Sequence, residues 1–313
     1  MGAGLLALII AGGFAGLVDL FERSDEDVNA EDAGNGSVPD TPEPELNKLM
    51  FNGDDELYGT EEDDLLESQN SAFNPTSPDS VAPHSPKSVF LGGGDDVAML
   101  GAWDYVEEIH GGDGNDKIIG AFPSKIFGDA GDDTLKGGQG DELYGGVGND
   151  LIEYHISSRA PDNGLVSGGD GNDTIQIFSD FGTGNTSEDL TVTVGGQEGE
   201  DQFDINLHLS NGNGGSASDT PAIDDGDLFR ITDFNPDEDS LKVTISRMGG
   251  SEDREMTSAE ITHESVEENG VMQEYTRLTM EFESGTDVPG AVVSVLFDGN
   301  IDLTTDEISI ENV

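Results

Sequence analysis

The chain has 313 residues, with 67 Asp and Glu against 12 Lys and Arg, and a formal net charge of −55. That charge excludes nucleic acid, whose phosphates need cationic neutralisation, and disfavours anionic lipid surfaces. The lack of cysteine excludes disulfides and thiolate metal sites, and leaves an acidic chain whose like charges oppose compaction until cations gather.

Residues 1–23 read as a hydrophobic leader or anchor, a helix by its apolar run AGLLALIIAGGFAGLV at residues 3–18. The run has the length of a signal h-region and is marginal for a bilayer span. No Lys or Arg precedes it, Gly13 and Ala15 form a small-x-small pair, and Leu6 breaks the myristoylation pattern. Three readings stay open: an atypical signal peptide, membrane anchoring through residues 3–21, or a leader on a protein exported by another route. Residues 24–48 are polar and acidic and predict a disordered linker.

Residues 49–68 hold two degenerate glycine- and aspartate-bearing turns, NGDDELYG and GTEEDDLLE, which place Asp55 and Asp64 nine residues apart. They predict either an extra coil or a segment without fixed structure. A Pro-rich linker at 69–88, with Pro75, Pro78, Pro83 and Pro86, isolates them from the main array of repeats.

From 89 to 210 a glycine-rich turn and a short apolar strand alternate. The best copies are GGDGNDKII (Gly111 to Ile119), GDAGDDTLK (Gly128 to Lys136), GGVGNDLIE (Gly145 to Glu153) and GGDGNDTIQ (Gly168 to Gln176). LGGGDDVAM (Leu91 to Met99) is a partial copy, and GGQEGEDQFD (Gly195 to Asp204) carries one inserted residue. Glycines permit a tight turn that exposes carbonyl oxygens, and a short carboxylate then closes a site of hard oxygen donors. That environment suits Ca2+, which takes about six to eight oxygen ligands, better than Zn2+, which prefers imidazole or thiolate. The apolar residues Ile118, Leu135, Ile152 and Ile175 point inward on short strands, and no single repeat buries its own, so coils must stack.

These copies resemble the RTX, or hemolysin-type, calcium-binding repeat G-G-x-G-x-D-x-U-x, where U is a large apolar residue. The resemblance implies an all-β parallel β-roll, two nonapeptides to a coil, with several Ca2+ ions between stacked turns. Carried onto matching positions, the aspartate ligands are Asp96, Asp116, Asp133, Asp150 and Asp173, with Asp201 as a weaker member. The turn residues Gly111, Asp113, Gly114, Gly128, Gly131, Gly145, Gly148, Gly168, Asp170 and Gly171 complete the implied metal set. Asp116, Asp133 and Asp150 lie 17 residues apart, close to two nonapeptides, which predicts one stacked column. The alternate turns are poor. GAFPSK (Gly120 to Lys125) places Lys125 where the aspartate belongs, and GGQGDE (Gly137 to Glu142) is one residue short. The expectation is calcium mainly on one side.

Residues 211–226 read as a linker and 227–313 as a C-terminal β domain with strands LFRITDF, LKVTISR, YTRLTMEF and AVVSVLF. FRITDFNPDEDSLKV resembles the segment that often succeeds RTX arrays. There Asp233, Asp237 and Asp239 either cap the roll, bind another ion, or form a solvated turn. The end, LFDGNIDLTTDEISIENV, resembles uncleaved signals of type I secretion substrates. The resemblance thus implies a bacterial extracellular or cell-surface protein, with type I secretion machinery as a partner.

No H-E-x-x-H, G-x-S-x-G or cysteine nucleophile occurs, and the five histidines are scattered. The expectation is a calcium-binding protein without catalytic activity. The alternatives are an enzyme acting on an extracellular polymer through the C-terminal β region, or a surface adhesin.

Overall fold

A computed structural model describes residues 46–68, 85–101, 104–120, 123–157, 163–181, 192–209, 227–247, 256–268, 270–282, 291–304 and 308–312. The leader at 1–23, nearly all of the 24–48 linker, most of the Pro-rich linker and the 211–226 linker lie outside the described residues. The rest winds through short strands in chain order: β1 (Asn47–Lys48), β2 (Glu56–Tyr58), β3 (Asp64–Glu67), β4 (Ser88–Gly93), β5 (Val97–Met99), β6 (Glu108–Asp113) and β7 (Lys117–Ile119). It continues through β8 (Lys125–Ala130), β9 (Thr134–Gly138), β10 (Glu142–Val147), β11 (Leu151–Ser157), β12 (Leu165–Asp170), β13 (Thr174–Phe181), β14 (Val192–Glu198) and β15 (Gln202–Leu209). The last strands are β16 (Asp227–Ile231), β17 (Ser240–Arg247), β18 (Met256–Glu268), β19 (Val271–Phe282), β20 (Ala291–Asp298) and β21 (Ile308–Asn312).

Up to β17 odd and even strands fall into two different sheets. One runs β1-β3-β5-β7-β9-β11-β13-β15-β17-β21, the other β18-β19-β20-β16-β14-β12-β10-β8-β6-β4-β2. Apart from the β18–β19 and β19–β20 pairs, every pairing is parallel, and among the described residues there is no helix. Two parallel sheets joined by tight arcs make a parallel β-roll.

The core is a pair of facing apolar ladders, one per sheet. Leu66, Ala98, Ile118, Leu135, Ile152, Ile175, Phe203, Leu241 and Ile308 stand in register in the first sheet. Leu57, Val89, Ile109, Ile126, Leu143, Val166, Val194, Ile231 and Phe297 do so in the second. All are buried, and each large aliphatic side chain contributes roughly 1.5–3 kcal/mol when withdrawn from water. Strand alternation sends their neighbours outward. On the outer face of the second sheet Tyr58, Phe90, His110, Phe127 and Tyr144 form a cross-strand stack with ring centroids 4.5–5.2 Å apart.

Two boundaries drawn from the sequence are not structural boundaries. The 49–68 turns are not isolated, because β2 pairs with β4 and β3 with β5 across the Pro-rich segment. The 227–313 region is not a separate domain, because β16 and β17 continue the two sheets against β14 and β15, and β20 and β21 add a further layer. All described residues belong to one compact unit, Pro44–Val313. The reason is physical: extending the sheets needs an inward apolar residue in register, and that persists where glycine density falls. What sets the C-terminal region apart is the antiparallel β18–β19 hairpin appended beyond β20.

Candidate metal centre

From β2 to β17 each crossing from the second sheet to the first ends on an aspartate. The structure brings Asp96, Asp116, Asp133, Asp150, Asp173 and Asp201 into one column, each no more than 2% exposed. Asp64 extends it at one end and Asp239 at the other. The amide of each aspartate donates to Oδ1 of the aspartate in the next coil: Asp64 to Asp96 at 2.7 Å, Asp96 to Asp116 at 2.8 Å, Asp116 to Asp133 at 2.7 Å and Asp133 to Asp150 at 2.8 Å. The series runs on from Asp150 to Asp173 at 2.8 Å, Asp173 to Asp201 at 2.9 Å and Asp201 to Asp239 at 3.0 Å.

Oδ2 of Asp96, Asp116, Asp133, Asp150 and Asp173 has neither solvent nor a hydrogen-bond partner, and the same holds for Oδ1 of Asp64. Those of Asp116, Asp133, Asp150 and Asp173 lie close against the arc glycines, where no side chain fits. A β-carbon built on Gly128 would stand 2.2 Å from Asp133 Oδ2 and 2.5 Å from the Gly145 carbonyl. The corresponding oxygens lie at 2.2 and 2.7 Å for Gly111, 2.2 and 2.5 Å for Gly145, and 2.1 and 2.7 Å for Gly168. One carboxylate oxygen and one carbonyl of the next coil thus converge at each of these glycines. Among the described residues no three Asp, Glu or His side chains gather as a metal cluster, so these cradles depend on main-chain oxygen.

Electrostatics favour a cation here. Burial, opposed by the amide hydrogen bond, pushes the carboxyls of Asp96 and Asp133 up to about 7 and those of Asp116, Asp150, Asp173 and Asp201 up to about 6. Neighbouring aspartates of the column add to the rise for all but Asp116 and Asp150, where Asp95 with Asp129 and Asp132 respectively do so. Hard, anionic, desolvated oxygens with unused lone pairs fit Ca2+. The nearest imidazole, His110, is taken up by the outer-face stack and by Asp129 at 3.0 Å.

A second ladder, not foreseen in the sequence, runs the other way one residue earlier. The amides of Asp95, Asn115, Asp132, Asn149, Asn172 and Glu200 donate to side-chain oxygens of Asp63, Asp95, Asn115, Asp132, Asn149 and Asn172 in the preceding coil, at 2.7–3.0 Å. Each arc is therefore tied to both neighbours. The signal lies in the Asn or Asp before each column aspartate from Asp64 to Asp173. At the C-terminal end Asp233 accepts the amides of Gly196 and Gln197 at 3.1 and 3.0 Å, and Asp239 accepts that of Asn235 at 2.7 Å. Asp237 is exposed and joins neither ladder.

The other members of the implied metal set flank the column, and one register is corrected. Asp113 and Asp170 are exposed, and their carbonyls accept the amides of Gly94 and Gly148. Gly114, Gly131, Gly148 and Gly171 border the carbonyl of the preceding coil, not a carboxylate. Lys125 does not replace an aspartate. It opens β8 and pairs with Glu142 at 2.6 Å, while Ser124 closes the arc and donates its amide to Asp141 Oδ1 at 2.7 Å.

The glycine spacing is enforced sterically. Gly148 has φ 141°, and a β-carbon there would meet the Gly131 carbonyl at 2.0 Å. Gly148→Ala is expected to raise the calcium midpoint of folding several-fold and cost more than about 2 kcal/mol, since left-handed strain alone costs about 1–2 kcal/mol. Gly299→Ala is the control, with φ 96° and open space around its β-carbon. Equal effects in calcium-titrated circular dichroism would contradict this packing role.

The RTX calcium-binding nonapeptide repeat matches the chain in four copies, at residues 51–70, 104–122, 125–152 and 162–176. Searches of curated proteins and of solved structures give no match. The copies carry Asp64, Asp116, Asp133, Asp150 and Asp173 of the column, and the chain thus contains RTX calcium-binding nonapeptide repeats, whose cofactor is Ca2+.

Proposed function

We propose that this is a non-enzymatic protein of the bacterial extracellular space or cell surface, exported through type I secretion machinery, whose roll folds when calcium binds after export. The observation that carries the reading is the column of desolvated carboxylates with unused oxygens. Without a cation, burying them opposes folding, so metal binding and folding are one equilibrium. A cytoplasm poor in calcium keeps the chain unfolded and exportable, and a calcium-rich exterior folds it. The acidic, apolar-alternating C-terminus supports the export route, and the absence of nucleophile and metalloprotease motifs supports a role without catalysis. Residues 3–21 offer a means of retention at the surface.

The test is far-UV circular dichroism of the full chain at pH 7.5, in millimolar calcium and in chelator. A β spectrum in calcium that collapses in chelator is expected. The same β spectrum in both would overturn the reading.

A further inference from the structure

The roll has two edges, and they are built from different chemistry. On the column edge each arc glycine faces a carboxylate oxygen and a carbonyl: Gly128 O, Gly145 O, Gly168 O and Gly196 O stand beside Gly111, Gly128, Gly145 and Gly168. On the other edge the contacts are mixed: a β-carbon on Gly101 would meet Ser68 Oγ, a neutral hydroxyl oxygen without a hydrogen-bond partner, at 2.4 Å. A β-carbon on Gly120 would meet Ile126 Cδ1 at 2.6 Å, and one on Gly137 would meet Leu143 Cδ2 at 2.9 Å as well as Asp141 Oδ2 at 2.7 Å. Methyl groups offer no lone pair to a cation.

The carboxylates of the second edge are also already used. Asp141 accepts the Ser124 amide on Oδ1 and the Gly138 amide on Oδ2, both at 2.7 Å. Asp104 accepts the Gly101 amide at 2.8 Å. Both side chains are buried, at 3% and 1% exposure, yet neither has a buried oxygen without a partner. Between them the place of the aspartate is held by Ser124, whose hydroxyl donates to the Val106 carbonyl at 2.6 Å. A neutral hydroxyl sits where an ion-binding column would need a charge. Backbone amides satisfy an anion as a cation does, but they are part of the chain and need no ion.

We propose that calcium holds only one edge of the roll. The arcs of the Asp96–Asp173 column take the ions, and the Asp104, Ser124 and Asp141 arcs are closed by their own amides and take none. This rests on the calcium-folding reading. Its consequence is an asymmetric module: calcium decides whether one edge closes, while the other carries a metal-free seam whose cost does not vary with calcium.

The test counts ions by native mass spectrometry on the calcium-loaded full chain and on two neutral, near-isosteric variants. Asp141→Asn is expected to retain the wild-type number, and Asp150→Asn to lose at least one ion. An ion lost from Asp141→Asn overturns the proposal. Should that variant not fold, Asp104→Asn is read in the same way. Terbium-substituted crystals of the unaltered chain give a readout independent of either variant: anomalous peaks confined to the column edge are expected, and a peak within ligand distance of Asp104 or Asp141 overturns the proposal. Ions on both edges would sink this asymmetry while leaving calcium folding intact, whereas no ions on either edge would sink the calcium-folding reading itself.

Discussion

Raising the pH from 5 to 8 in chelator is expected to unfold the roll, and calcium added at pH 8 is expected to restore it. The sign comes from the column. In the unfolded chain its aspartates titrate near 3.8, whereas in the fold Asp96 and Asp133 titrate near 7 and Asp116, Asp150, Asp173 and Asp201 near 6. A raised folded pKa leaves stability complete below the unfolded value and removes it as pH climbs through the folded value. The window of loss is therefore about pH 4 to 7. Each pKa unit corresponds to about 1.4 kcal/mol, so each carboxyl costs roughly 3–4 kcal/mol once ionised. Six such groups outweigh the roughly 5–15 kcal/mol that holds a typical domain together. Calcium needs the ionised form, so it competes with protons and removes this cost only above about pH 6. Starting at pH 5 keeps the chain above its isoelectric point near 4.1, where precipitation would obscure the result. Urea midpoints in chelator should fall as the pH rises from 5 towards 7, until no folded state remains, and should stay high above about pH 6 in millimolar calcium. A midpoint in chelator that rises over that range would contradict the buried, cation-free column.

The period of the apolar residues and the spacing of the aspartates make the roll legible in the sequence. Ile118, Leu135, Ile152 and Ile175 recur at the distance one coil requires, and their partners Asp116, Asp133, Asp150 and Asp173 keep the same step. The two ends are harder to read, because glycine is the conspicuous mark of a coil. Glycine marks only the arcs whose backbones touch. Leu57 and Leu66 at one end, and Phe229, Leu241 and Ile308 at the other, keep the inward alternation with little glycine around them. Asp64 and Asp239 therefore close the column from segments that look detached in sequence. The second edge misleads for a related reason. Counting six residues from Gly120 lands on Lys125, but pairing of β8 with β10 fixes Lys125 opposite Glu142 and leaves Ser124 as the last residue of the arc. Arc length is set by sheet register, which a local motif does not contain. The Asn and Asp ladder beside the column is written in the sequence, yet Asn and Asp are ordinary turn formers. Only the stacking of arcs turns them into a ladder.

Asp133→Ala separates the two roles of a column aspartate because it acts with opposite signs with and without calcium. In chelator near pH 6 it deletes a buried carboxylate whose burial costs roughly 3 kcal/mol at that pH, and it leaves the Asp116 amide without its acceptor, which costs about 1–3 kcal/mol. The metal-free variant should therefore be no less stable than the parent, by up to about 2 kcal/mol more so. In calcium the balance reverses. Gly128 loses the facing Asp133 Oδ2, and the arc that presents Gly128 O to Gly111 loses its tie to the Asp116 amide. At least one ion should be lost, the remaining ions should bind with a several-fold higher midpoint, and the cooperativity of the calcium titration should drop. Asp133→Asn keeps an oxygen for the Asp116 amide while removing the charge, so it should gain more stability in chelator than the alanine variant and lose a similar share of its calcium. Ion counting by mass spectrometry, paired with urea midpoints in chelator near pH 6 and in calcium at pH 8, measures both signs. Loss of one weakly held ion, with the affinity and cooperativity of all others intact, would mean that the aspartates bind as separate turns and not as a stacked column.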